Sequence, residues 1–187
     1  MIVGIVTAEA TYPNYSVSQN LISDLGRAST LSDLLQHPAA VIFDSVMVVG
    51  GAVMIAGAYT LYRTAGKISI SSALPFLLIL AGIGAMGIGI FNESFGDIHG
   101  LFTVLNIITW GLAAIVAFTQ LRSPFRYLSV ILGIFVLANF VLFHLGPTVA
   151  VLGNGGAERW MVYPLMLWLT GFGGYLMGTS SEASLRS

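Results

Sequence analysis

Between Phe91 and Phe102 the chain reads FNESFGDIHGLF, which sets Glu93, Asp97 and His99 within seven residues. Carboxylates and an imidazole at this density can ligate a divalent ion such as zinc or carry a proton to and from a reacting group. Beyond this segment His99, Thr103, Asn106 and Trp110 recur at spacings of four, three and four, so they share one helix face. Polar groups are costly in lipid, so that face turns into the bundle. The segment FHLGP brings His144 to the end of the following helix, at a depth similar to His99. Glu158-Arg159-Trp160 opens the last helix, where Glu158 suits the positive helix end. Asp44 lies inside the first long apolar run and adds a carboxylate. Ser23, Asp24, Asp44, Glu93, Asp97, Asn106, Glu158 and Arg159 are therefore candidates for one polar pocket, with His99, His144 and Asp97 as candidate metal ligands. The spacing matches no recognised metal motif: there is no HExxH, and the two histidines stand 45 residues apart. Each histidine taken singly equally fits an interfacial side chain bonded to a carbonyl or a carboxylate.

The elements that must position these residues follow from composition. The chain has 187 residues, of which 56% are hydrophobic and 8% charged, with a mean hydropathy of +0.89; soluble domains carry about a quarter charged residues. This is an integral membrane protein, and membrane lipids are its expected partners. It has no cysteine, which excludes disulfides and thiolate metal sites, and its net charge of -1 gives no support to nucleic-acid binding. Crossing a bilayer takes about 20 apolar residues. Five runs qualify: 39–62, 69–91, 99–121, 124–145 and 160–178. The opening MIVGIVTAE, residues 1–10 with its neighbour, covers half that thickness and reads as a partial first helix. The expectation is one all-α membrane domain, a six-helix bundle of five full spans plus a short N-terminal helix, with a tail at 179–187.

The loops alternate between two sides. One side holds Arg27 and Arg159 and the other Arg63, Lys67, Arg122, Arg126 and Arg186. Positive residues favour the cytoplasm, which predicts a cell-membrane protein with a cytoplasmic C-terminus. Glu9, Asp24, Asp33, Glu93, Asp97, Glu158 and all three histidines then fall on the outer side. The outer loop 11–38 carries the sequence YPNYSVSQNLISDLG, in which Ser16-Val17-Ser18-Gln19 matches a capping box and Gly26 a terminator. A short interfacial helix from about Val17 to Leu25 is predicted, with Asp24 at its negative end in need of Arg27 or Arg159 as a partner. A second helical turn around Leu31 to Gln36 leads through Pro38 into the first span. Glycines in GGAVMIAGAY and AGIGAMGIGIF read as packing surfaces between helices, and Asn154-Gly155-Gly156 as a turn.

YPNYSVSQNLISDLG, FNESFGDIHGLF at the end of a glycine-rich helix, and GGAERW opening the last helix together resemble the membrane family named domain of unknown function 998, over nearly the whole chain. That resemblance implies a multi-helix fold with a polar outer site and no assigned activity. A weaker similarity is to the ceramidase and adiponectin-receptor type of membrane hydrolase, in which Ser23, Asp24, His99 and His144 would take the serine, aspartate and zinc-ligand places. The paired histidines and the seventh helix of that type are missing.

Two functions follow from these residues. The first is an outward-facing polar pocket binding a small ligand or a lipid head group, shaped by Asp24 and Arg159. The second is a metal-dependent hydrolase of a lipid ester or amide. There His99, His144 and Asp24 or Asp97 would hold the ion that acidifies a bound water, and Glu93 or Glu158 would move the proton. Haem ligation by His99 and His144 is a third reading. A transport path through so few polar groups would require a homo-oligomer.

Overall fold

The computed structural model describes residues 1–28, 30–68 and 71–184. Helix α1, Ile2–Thr11, is the short first helix the sequence predicts; its ten residues rise about 15 Å, half of a hydrocarbon core about 30 Å thick. It lies along α3, with Gly4 against Val46 and Met1 over Gly50.

The predicted helix from Val17 to Leu25 does not form. Residues 16–20 make a turn, and a 3-10 helix follows at Ser23–Gly26. The amide that a capping box would join to Gln19 donates instead to Asn20: Ser16 N lies 3.0 Å from Asn20 Oδ1. Asp24 Oδ2 likewise accepts from Leu21 N at 2.9 Å. Side-chain acceptors of this kind compete with the helical ladder. The loop carbonyls are also drawn away, since Ser18 O accepts from Gly155 N at 3.0 Å. Helix α2, Leu31–Gln36, agrees with expectation and is capped by Thr30, whose hydroxyl accepts from Asp33 N.

Among the described residues four helices are long and apolar enough to cross a membrane. They belong to α3 (Pro38–Ile68), α4 (Ala73–Ile90), α5 (Asp97–Val116) and α6 (Phe125–Leu145). Pro38 opens α3, where a missing amide does no harm. The expected start of the second span at Ser69, and Arg186 in the tail, lie outside the described residues. The last helix, α7 (Pro147–Ser184), contains the run 160–178 and departs from expectation at both ends. It begins directly after Gly146, so the Asn154-Gly155-Gly156 turn is helical and the break sits at Gly153, with φ 73° and ψ 170°. At the far end residues 179–184 continue the helix.

Close approach of backbones sets the packing of α3, α4 and α5. A β-carbon on Gly51 would fall 2.5 Å from Gly82 O, and one on Gly84 2.7 Å from Asn106 N. Apolar tails offer little driving force between helices in lipid, so small residues that admit such contact hold the bundle. Polar side chains bonded to neighbouring backbones add direction. Asn106 Nδ2 donates to Ala81 O at 2.7 Å, joining α5 to α4. Asn139 Nδ2 donates to Ala157 O at 3.0 Å, joining α6 to α7. Buried Ser129 on α6 donates to Ala114 O on α5 and accepts from Trp168 Nε1 on α7 at 2.7 Å.

These contacts separate two kinds of glycine. Gly84→Ala forces a β-carbon onto the Asn106 backbone, and the expected cost is about 1–3 kcal/mol of overpacking. Gly57→Ala meets nothing within 4 Å, and the expected change is neutral or a gain below about 1 kcal/mol from helix propensity. Unfolding of both variants in mixed micelles measures the difference.

Candidate functional site

The polar residues gather at one end of the bundle in two layers, a cap and a cavity beneath it. Arg159 anchors the cap. Its Nη1 faces the carbonyls of Val17 (2.8 Å), Asn20 (3.2 Å) and Gly155 (2.8 Å). Its Nη2 donates to Glu9 Oε1 (2.5 Å) and Tyr15 Oη (2.6 Å). Arginine suits this place because a planar, permanently charged fork can serve several acceptors at once. Arg159 is 6% exposed, so these partners replace water rather than supplement it. Tyr15 Oη donates onward to Leu21 O at 2.9 Å. Burial pushes its phenol up to about 12, against the opposing pull of Arg159, and so keeps it protonated as that donor. Close packing completes the joint: Gly155 lies against the Asn20 and Val17 carbonyls, and Gly153 against that of Ser18.

Beside Arg159, buried Glu158 accepts a hydrogen bond from Ile22 N. Burial raises its carboxyl to about 7, partly offset by the Ile22 amide and the Arg159 charge. Asp24 pairs with Arg27 at 2.9 Å and not with Arg159. Arg27 also reaches Glu93 at 3.6 Å, and Glu93 Oε2 lies 3.2 Å from His99 Nε2, outside hydrogen-bond alignment. His99 Nδ1 faces Phe91 O at 2.9 Å, which assigns the ring proton to Nδ1 and leaves Nε2 an acceptor in the neutral ring. Asp44 stands apart with Asn92, whose Nδ2 is shared between Asp44 Oδ2 (3.4 Å) and Ala28 O (3.3 Å).

Under the cap a cavity of about 40 Å³ lies among α1, α3, α4, α5 and α7. Ser23, His99, Thr103, Asn106, Trp110 and Glu158 are among its lining residues with apolar neighbours such as Ile5 and Val162, and the surface they present to it is almost wholly apolar. His99 Nε2, Thr103 Oγ1 and Trp110 Nε1 are buried and make no hydrogen bond within the chain. The face of His99, Thr103, Asn106 and Trp110 expected from spacing is thus the cavity wall on α5.

Of the predicted site residues, Ser23, His99, Asn106 and Glu158 line the cavity. Asp24, Asp44, Glu93 and Arg159 do not line it: Glu93 touches the lining residue His99, Arg159 lies in the cap, and Asp44 is bonded to Asn92. Asp97 is exposed in the first turn of α5, where a carboxylate suits the helix dipole. His144 is exposed at the end of α6, bonded to Phe140 O of its own helix at 2.8 Å, and does not line the cavity. Among the described residues no three His, Cys, Asp or Glu side chains are grouped as metal ligands, so His99, His144 and Asp97 are not brought onto one ion. Sequence reasoning left Glu9 as a loop carboxylate and did not single out Tyr15, although both complete the Arg159 cluster. The available signal was Glu9 itself, an acid at the end of an apolar helix that faces a loop arginine.

The helices and their apolar surfaces define a multi-pass membrane protein in contact with lipid through side chains such as Phe76, Ile131 and Leu167. Within that class the chain belongs to the family described as Protein of unknown function (DUF998), which matches residues 1–175. No curated protein and no solved structure matches it.

Two consequences are measurable. Arg159→Met leaves Glu9 and three carbonyls desolvated without their donor; the expected loss is about 3–5 kcal/mol, the range for breaking a buried pair. Arg27→Ala removes a pair whose arginine side chain is 58% exposed, and the expected loss stays within about 1 kcal/mol. Hydrogen exchange of the 16–22 amides, followed with unfolding, ranks the two. Glu158 gives a pH dependence. Its folded-state value, about 7, exceeds the ordinary 4.5, so the folded protein binds the proton more tightly than the unfolded chain. Its contribution is then full below pH 4.5 and is lost as pH rises through 7. Protection of the cap amides, taken relative to the intrinsic exchange rate at each pH, is expected to fall over that window in the native protein and to stay level in Glu158→Gln, which keeps an acceptor for Ile22 N.

Proposed function

We propose that this protein binds a small polar ligand, or the polar end of a lipid, in the cavity beneath its cap. The observation that carries this reading is a pair of buried groups without a hydrogen bond on the α5 side of the cavity, Thr103 Oγ1 and Trp110 Nε1, beside His99. Native proteins pair nearly all their buried polar groups, and each one left bare costs about 1–3 kcal/mol. A molecule that accepts from the indole N–H and from the Thr103 hydroxyl would remove that cost. The cavity, about 40 Å³, exceeds the roughly 10–15 Å³ that a single water needs.

The site faces out of the cell in this reading. Arg63 and Arg126 lie at the opposite ends of their helices from the cap, with Arg122 in the connection before α6, and basic residues favour the cytoplasmic side. The C-terminal end of α7 is then cytoplasmic. The hydrolase reading has less support, because it needs His144 on the same ion as His99, and His144 is engaged with Phe140 of its own helix.

Thr103→Val removes the hydroxyl with little change of shape, and Trp110→Phe removes the indole N–H while leaving a smaller ring. Compounds extracted from purified native protein and from the double variant are compared by mass spectrometry. The expected result is one compound near equimolar with the native protein and at least tenfold depleted in the variant. Equal amounts in both, or no compound in either, overturns the reading.

A further inference from the structure

The acidic residues of the chain, Glu182 excepted, stand on the capped side, while Arg63, Lys67, Arg122 and Arg126 stand at the opposite end. The arginines differ in what answers their charge. Arg159 and Arg27 hold carboxylates, and Arg63 Nη1 donates to Tyr59 Oη at 3.2 Å. Half-buried Arg126, in the first turn of α6, has no such partner: its Nε is buried without an acceptor, and no oxygen among the described residues accepts from its guanidinium.

Aromatic rings hold it instead. Arg126 Cζ lies 3.9 Å from the centre of the Phe118 ring and 5.8 Å from that of Tyr127. A ring face attracts a cation without satisfying its N–H donors, so the stack fixes the fork and leaves its donors to an acceptor from outside. The turn that carries these rings is itself held in place. Phe118 meets Tyr127 edge-on at 5.8 Å, Phe125 stacks on Tyr175 of α7 at 6.0 Å, and Arg122 N donates to Tyr175 Oη at 3.1 Å. A guanidinium fixed before its partner arrives has little freedom left to lose on binding.

Nothing in the backbone offsets the charge. The first turn of α6 contains no acid, and a cation there adds to the positive end of the helix dipole. Arg122 stands one turn back, its carbonyl accepting from Arg126 N at 3.1 Å. The required partner is therefore an anion.

Position selects which anion. Tyr127, Leu128 and Ile131 beside Arg126 are exposed on a helix that crosses the membrane, and tyrosine at a span end marks head-group depth. The anion met there is a lipid phosphate, whose oxygens fit the planar fork of arginine. A choline on that phosphate would meet Arg122 and the positive helix end, so a head group of net negative charge is favoured. We infer that the turn between α5 and α6 is a site for an anionic phospholipid of the leaflet opposite the cap, its phosphate on Arg126 and its chains along the exposed face of α6. The site is at the other end of the bundle from the cavity and does not depend on what the cavity binds.

Native mass spectrometry of the full-length protein, titrated separately with dioleoyl phosphatidylglycerol and dioleoyl phosphatidylcholine, tests it. The first adduct is expected to form with phosphatidylglycerol at a concentration lower by about fivefold or more, the factor that one basic residue gives near a membrane surface. Arg126→Gln is expected to abolish that preference, and Arg63→Gln at the same end to leave it unchanged. Equal affinity of the native protein for the two lipids overturns the inference, as does a preference that survives Arg126→Gln. An equal loss in Arg63→Gln means a diffuse field in place of a site and also overturns it. Displacement of the lipid by millimolar glycerol 1-phosphate means a soluble phosphate ester is the occupant, which overturns the lipid source. Hydrogen exchange of the native protein locates the contact: phosphatidylglycerol is expected to slow the amides of 117–128 and to leave those of 16–26 unchanged. Should Arg126→Gln fail to melt as the native protein does, this map decides alone, and protection elsewhere or nowhere overturns the inference.

Discussion

A guanidinium that cannot lose its charge, held at 6% exposure, governs the capped end of this molecule. Arg159 must be surrounded by acceptors, and α7 cannot supply them all, so they come from α1 through Glu9 and from the loop through Tyr15, Val17 and Asn20. Three features otherwise unrelated follow from that demand. Helix α1, too short to span a bilayer, is tied at its polar end. Carbonyls that would continue a helix through Val17 to Leu25 are turned toward α7. Glu158, the preceding residue, is offset by about 100° around the helix, which sets its carboxyl against Ile22 and the cavity.

The inner architecture rests on a different principle. Glycines at α3, α4 and α5 let backbones approach so closely that the three helices have almost no freedom to shift. On the other flank, α6 and α7 are registered by polar side chains that reach neighbouring carbonyls, Asn139 to Ala157 and Ser129 to Ala114. Such bonds cost little to form where lipid offers no competing partner, and they fix direction as well as distance.

Length and hydropathy were enough to read α1 and the helices α3 to α6, because crossing a bilayer imposes a chain length that no tertiary contact can override. The α5 face of His99, Thr103, Asn106 and Trp110 was legible for the same reason: helical spacing and the cost of polar groups in lipid admit one arrangement. Where water and side-chain acceptors could compete, the reading failed. Ser16 to Gln19 has the letters of a capping box, yet Asn20 is one residue further on and takes the amide. Asn154-Gly155-Gly156 has the letters of a turn, but the strain falls on Gly153, where the Ser18 carbonyl arrives from 135 residues away. His144 shows the remaining difficulty. Depth along the membrane can be counted from sequence, whereas the side of the bundle on which a residue stands depends on how the helices are arranged around one another.

The cavity persists because none of its walls is free to close it. Trp110 and Thr103 ride on α5, which is wedged against α4 by Gly84 at the Asn106 backbone. Val162 and Glu158 ride on α7, whose position is set by Ala157 and Trp168 on the α6 side and by Arg159 above. Ile5 rides on α1, pinned between Val46 and the Glu9 pair. A shift that satisfied the indole N–H from within would have to break one of these. Three of the buried atoms without a hydrogen bond, His99 Nε2, Thr103 Oγ1 and Trp110 Nε1, stand on the α5 side of this cavity, while Asp44 Oδ1, Arg126 Nε, Thr148 Oγ1 and Arg159 Nε are bare elsewhere among the described residues. The α5 set stays bare because the helices around it are each fixed by contacts of their own.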